Sequence, residues 1–209
     1  VKRALIIVDV QNDFCPGGAL AVPNGDQVVG AINTIVESGQ YDLVVATQDW
    51  HPAGHGSFAS AHPGSNPYDS IDLNGLPQVL WPDHCVQNTP GAEFHPDLNT
   101  EAIQRVFQKG TDPTVDSYSG FFDNGRRNPS GLAEYLTENE VTRVDVVGLA
   151  TDYCVKATAT DAKNLGFDTS ILLAGCRAVN VSPKDGEIAL SQMAGSGITL
   201  IASSTIVGP

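Results

Sequence analysis

The chain has 209 residues, 41% hydrophobic and 17% charged, with a formal net charge of −13 and a pI near 4.5. Such a chain is long enough for one domain with a substantial core and too apolar for a disordered polymer. No apolar run approaches the roughly 20 residues that span a bilayer, and 11 Lys+Arg scattered among 24 Asp+Glu make no basic stripe for nucleic acid.

The first element is a strand over 4–10, ALIIVDV. It opens the chain so directly that a signal peptide has no room, and a cytoplasmic location is expected. Cys15, Cys85, Cys154 and Cys176 form no CxxC pair and are then expected as free thiols, mostly packed as small hydrophobes. A helix follows over 26–38, with Asp26 at its N-cap and Val28, Val29, Ile32, Ile35 and Val36 on one face. The second strand covers 42–50. Residues 50–101, rich in Pro, Gly and His, then far exceed the roughly 2–6 residues of an ordinary connection and read as a functional loop.

Beyond it come a strand over 102–110, a helix over 130–140 starting at Ser130, and a strand over 143–150. A helix over 152–165 stops at Gly166, and a strand covers 168–175. The last helix, 182–194, has Ser182 as cap and Pro183 at its first position, and a strand over 198–203 closes the series. The alternation predicts a single α/β domain over 1–209, with a mostly parallel sheet covered by helices on both faces in three layers.

Ligands of an open parallel sheet bind beyond the carboxyl ends of its strands. Asp9, Asp49, Lys109 and Cys154 all fall at such ends. Singly, Asp9 could cap a turn, Lys109 could be an exposed terminal lysine and Cys154 a packed thiol. Together they form a reacting set. A thiolate attacks a carbonyl carbon, the ammonium offsets the charge, and the carboxylate moves the proton to the leaving group. Cys154 lies near a helix N-terminus, which is expected to lower its pKa, and backbone N–H groups of Ala150 and Cys154 can receive an oxyanion. For a metal, the candidates are Asp49, His51, His55, His62 and His84. Asp49-Trp50-His51 puts two donors on one face of an extended segment, and WPDHC offers a third, a mixed set suited to zinc, iron or manganese.

The blocks VDVQNDFCPGGALAVPNGD, TQDWHPAGHGSFAS, LWPDHCVQNTPGAEFHP, VFQKGTDPTVDSYSGFFDNGRR and VGLATDYCVKATATDA resemble the nicotinamidase (pyrazinamidase) branch of the isochorismatase-like hydrolases, over about residues 3–202. The resemblance implies a Rossmann-like fold with a six-stranded parallel sheet. It implies hydrolysis of nicotinamide, and of pyrazinamide, to the acid and ammonia through a cysteine thioester, a step of NAD salvage. It makes Asp9 the base and acid, Lys109 its charged partner and Cys154 the nucleophile. Asp49, His51 and His84 match the metal ligands, with one divalent ion, zinc before iron or manganese. Phe14 and Trp81 match aromatics flanking the pyridine ring, and the Leu149–Ala150 peptide matches one that is cis. His55 stands as a candidate further ligand. The expected partners are the small substrate and, in a homo-oligomer, further copies of the chain; nucleic acid and membrane are not among them.

Three rival readings differ in what they leave unused. Another amidase or isochorismatase of the same superfamily would not need both QDWH and WPDHC. A phosphotransferase using Asp9 and Asp13 would leave Cys154 idle. A structural metal module would be expected to close its site with four ligands, commonly including Cys.

Overall fold

The computed structural model describes residues 1–202. Six parallel strands form the central sheet: β1 (Lys2–Val8), β2 (Leu43–Asp49), β5 (Arg105–Lys109), β6 (Val141–Leu149), β7 (Asp168–Arg177) and β8 (Thr199–Ile201). Their spatial order is β5-β2-β1-β6-β7-β8. The chain builds outward from β1 on one side through β2 and β5, then returns to build outward from β6 on the other. The reversal lies between β1 and β6, where an α/β sheet opens a crevice at its carboxyl edge.

Alternate residues of β1 go to opposite faces, as the pleat requires. Leu5 and Ile7 join a core with Val28, Val29, Ile32 and Ile35 of α1 (Gln27–Glu37). Ala4, Ile6 and Val8 join the opposite core, with Leu132 and Leu136 of α2 (Leu132–Glu138), Ala159 and Ala162 of α3 (Lys156–Asn164) and Met193 of α4 (Asp185–Gly195). The three-layer expectation therefore holds, with one helix on the first face and three on the second.

Some local expectations need correction. Asp26 sits at the N-cap of α1, but its side chain makes no capping hydrogen bond. The last helix starts at Asp185, not Ser182. Lys184 takes a left-handed φ of 72°, and Asp185 accepts the Ser182 N–H, so Ser182 to Lys184 form a turn ahead of the helix. The third helix is preceded by a π-helical turn over Thr151–Val155. The loop 50–101 contains an antiparallel hairpin, β3 (Ser70–Leu73) and β4 (Leu76–Val79), joined through Asn74 and Gly75, both at positive φ. Gly166, at φ +96°, stops α3 as expected. Ser203, the end of the last expected strand, lies outside the described residues. Among the described residues no helix is long and apolar enough to cross a membrane.

Candidate active site

Strand register brings the reactive residues together. Asp49 pairs with Lys109 across β2 and β5, while Val8, one residue before Asp9, pairs with Thr47 and with Gly148. Asp9 then leaves the strand in a left-handed conformation (φ 49°), an arrangement Asp tolerates better than most residues. Thr47 donates to Asp9 Oδ1 at 2.6 Å. Gln11 clamps the next strand end: its Oε1 accepts the Asp49 N–H, and its amide donates to the Asp49 and Ala92 carbonyls at 2.8 and 2.9 Å. This side chain takes over where the β1–β2 ladder stops.

The Lys109 ammonium sits among four acceptors: Asp49 Oδ1 at 2.5 Å, Asp9 Oδ2 at 2.8 Å, the Ser117 carbonyl at 3.0 Å and Cys154 Sγ at 3.4 Å. An ammonium has three hydrogens, so one acceptor receives charge without a directed bond. That acceptor is Asp9 Oδ2, which has an ion-pair distance but no aligned donor. Asp9 and Cys154 share this buried cluster, each offering an atom within 4.8 Å of the other.

Burial raises the Asp9 carboxyl above its ordinary range, opposed by Lys109 and reinforced by the Asp49 charge. Burial also pushes Asp49 upward, but Lys109, His51 and His84 outweigh it and hold Asp49 well below the carboxylate range. Lys109, which burial alone would discharge, is held protonated by Asp49, Asp9 and Cys154. The expectation of a lowered Cys154 pKa is overturned. Burial pushes this thiol well above its ordinary value; Lys109 works against that, while Asp9 and Asp49 add to it. Cys154 is therefore held as a thiol rather than a thiolate.

Three donors converge beside this cluster. Asp49 Oδ2 lies 3.4 Å from His51 Nε2 and 3.6 Å from His84 Nε2. Each imidazole is turned by its other nitrogen: His51 Nδ1 lies 2.9 Å from the Gly110 carbonyl and His84 Nδ1 2.7 Å from the Pro82 carbonyl. Carbonyl partners place hydrogen on Nδ1 and leave each Nε2 lone pair facing Asp49. His51 Nε2 is fully buried without a hydrogen-bond partner. Burial pulls His51 down, yet Asp49 and Asp116 raise it overall, so this point favours positive charge. The orphaned His51 Nε2, the His84 Nε2 and an Asp49 carboxylate oxygen lie within 4.8 Å of one another and fit a divalent metal ion.

His55 is differently engaged. Its Nδ1 is 2.8 Å from Ser57 Oγ and its Nε2 2.8 Å from the Asp112 carbonyl, so both nitrogens have protein partners. Although it groups with His51 and Asp116, neither nitrogen is free for a metal. His62 bonds the Gly56 carbonyl at 2.7 Å.

Above these groups lies a cavity of about 430 Å³ including its mouth, walled by Phe14, Leu20, Val22, Trp81, Tyr118 and Val179 and floored by Asp49, His84, Ala150 and Cys154. The Leu149–Ala150 peptide is cis. Sequence reasoning named Phe14 and Trp81 but passed over Asp116, Tyr118, Tyr153 and Val179, which share this cavity. Asp116 and Tyr118 do fall in the polar run after the third strand end, the one signal that could have drawn them in. Of the remaining thiols, Cys15, Cys85 and Cys176 are buried and unbridged.

Residues 3–205 match the isochorismatase domain family. The nicotinamidase of Escherichia coli is 53% identical over 200 residues, which are 95% of this chain and 93% of that protein. A nicotinamidase/pyrazinamidase structure from Acinetobacter baumanii superposes with a TM-score of 0.91 at 44% identity, covering 96% of this chain and 95% of that one. A Pyrococcus horikoshii pyrazinamidase solved in complex with zinc superposes with a TM-score of 0.77 at 41% identity, covering 97% and 100%.

Proposed function

The chain belongs to the isochorismatase family, and within it we propose a nicotinamidase whose chemistry is carried by Asp9, Lys109 and Cys154. It is an amidohydrolase that converts nicotinamide to nicotinate and ammonia, as its relatives' names indicate. The observation that carries the residue assignment is one buried contact set: Lys109 Nζ within 3.4 Å of Cys154 Sγ and 2.8 Å of Asp9 Oδ2, beneath an aromatic cavity.

The substrate ring enters between Phe14 and Trp81, which exclude water from the floor. Asp9 accepts the thiol proton as Cys154 Sγ bonds to the amide carbon, and Lys109 offsets the charge that moves onto the floor. The N–H groups of Ala150 and Cys154 receive the oxyanion. Asp9 returns the proton to the amide nitrogen, the C–N bond breaks, and ammonia leaves a thioester on Cys154. Asp9 next deprotonates water, which attacks the thioester; the C–S bond breaks, Asp9 returns that proton to Cys154 Sγ, and the nascent acid gives its own proton to the released ammonia and leaves as the carboxylate. The raised pKa of Asp9 suits both directions of this proton traffic.

Asp49, His51 and His84 would hold the metal, with zinc favoured by the mixed imidazole and carboxylate set and by the zinc-bound relative. When bound, it supplies a Lewis-acidic anchor for a ring nitrogen, which positions the amide over Cys154. Pyrazinamide, which keeps that nitrogen and the carboxamide, is a second substrate by the same reasoning.

Ammonia release from nicotinamide by the metal-loaded protein is the direct test. Cys154→Ala is expected to abolish release while leaving bound metal unchanged. Full turnover by that variant would sink the thioester route.

A further inference from the structure

One carboxylate in the cavity has no part in the steps above. Asp116 is only 3% exposed and stands in the wall with Asp49 and His84. Both its oxygens are held by donors: Oδ1 by the Ser117 N–H at 2.8 Å and Oδ2 by the Gln78 amide at 3.0 Å. Donors on both oxygens fix the carboxylate in a single orientation. Its charge reaches the cavity wall, since after burial it is the next cause that raises Tyr118.

A buried charge fixed in a substrate cavity has to act on the ligand. The reaction converts a neutral amide into an anionic acid of nearly the same shape, so shape cannot distinguish substrate from product, but charge can. Lys109 and a divalent ion carry three positive charges; Asp9, Asp49 and Asp116 balance them. Without Asp116 the cavity would be net positive and would retain an anion.

We propose that Asp116 is a specificity-determining residue that favours the neutral carboxamide over the carboxylate product and so speeds product release. The inference rests on the nicotinamidase reading and adds a role that the Asp9–Lys109–Cys154 set does not supply. One unit charge within a cavity of this size, at an effective dielectric of about 20, corresponds to roughly tenfold or more in the affinity of an anion.

The test is equilibrium binding of nicotinate and of nicotinamide to metal-loaded Cys154→Ala protein, with and without Asp116→Asn, by calorimetry. Asp116→Asn is expected to shift the affinity ratio toward nicotinate by roughly tenfold or more, whereas Asp116→Glu, which keeps the charge, leaves the ratio near its starting value. Measuring both ligands separates charge from damage, because a distorted pocket weakens both together. A ratio unmoved by Asp116→Asn, or one moved toward nicotinamide, would overturn the proposal. Failure of the reading beneath it looks different: the unsubstituted chain would release no ammonia from nicotinamide.

Discussion

At the scale of single residues, the site depends on where one proton rests. Burial lifts both the Cys154 thiol and the Asp9 carboxyl, so the proton sits on sulfur with its acceptor close by. Below its pKa, Asp9 is protonated and cannot take the thiol proton. Because burial raises that pKa, the acid limb of kcat/KM should lie above the range of an exposed aspartate. An Asp9→Asn variant should show neither limb nor turnover. A pH–rate profile whose acid limb falls in the ordinary carboxylate range would contradict this. Gly110 is a second residue-scale constraint. It has φ +66°, and a Cβ there would meet the His51 ring. Gly110→Ala should therefore cost about 1–2 kcal/mol from the backbone conformation. It should also weaken metal binding at least tenfold, read by thermal unfolding and by competition with a chelator. The residue types Asp9, Lys109 and Cys154 were legible at strand ends, but the state of Cys154 was not. A helix N-terminus is a local feature of sequence, whereas its burial comes from segments far along the chain.

At the scale of elements, short polar ties hold loops that carry the cavity wall. Asp13 accepts the Cys85 N–H at 2.8 Å and the Ala19 N–H at 3.1 Å, joining the segment that bears His84 to the one that bears Leu20. Asp13→Ala should raise KM and lower metal affinity by roughly tenfold, the size seen when outer partners of a metal ligand are lost. A KM and a metal affinity both unchanged would show that the two segments hold their places without it. Asp152, at the π-helical turn, accepts the Val179 and Asn180 N–H groups at 3.0 and 2.8 Å and holds Val179 in the wall of the cavity that Cys154 also lines. The core strands and helices were legible because their periods are long and their faces apolar. The hairpin over residues 70–79 was not: its strands have only four residues each, β3 alternates exposed and half-buried positions, and the one buried position of β4 is a glutamine, Gln78. The Ser182-Pro183 cap failed for a related reason, since Asp185 supplies the turn that a serine cap would otherwise make.

At the scale of the whole molecule, the metal is expected to act as a stabilising ligand as well as an anchor. Its donors come from β2, from the segment just after it and from the far side of the long loop, so binding joins parts distant in sequence. A metal present at about 100 times its dissociation constant adds about 2.7 kcal/mol. For a chain of this size that is roughly 5–10 °C in Tm. Chelation should lower Tm by that amount and abolish ammonia release, and added zinc should restore both. A chelated protein with unchanged Tm and full turnover would remove the metal from the account. The sequence by itself determined the α/β alternation, the strand-end positions of Asp9, Asp49, Lys109 and Cys154, and the D-x-H pair, because these depend on local period and spacing. Only the tertiary structure decided that both His55 nitrogens are taken by Ser57 and Asp112, that Cys154 rests as a thiol, and that Asp116 lines the cavity. Those properties depend on which distant groups surround a side chain, and that is set by how the strand order and the loops beyond the strand ends bring remote segments together.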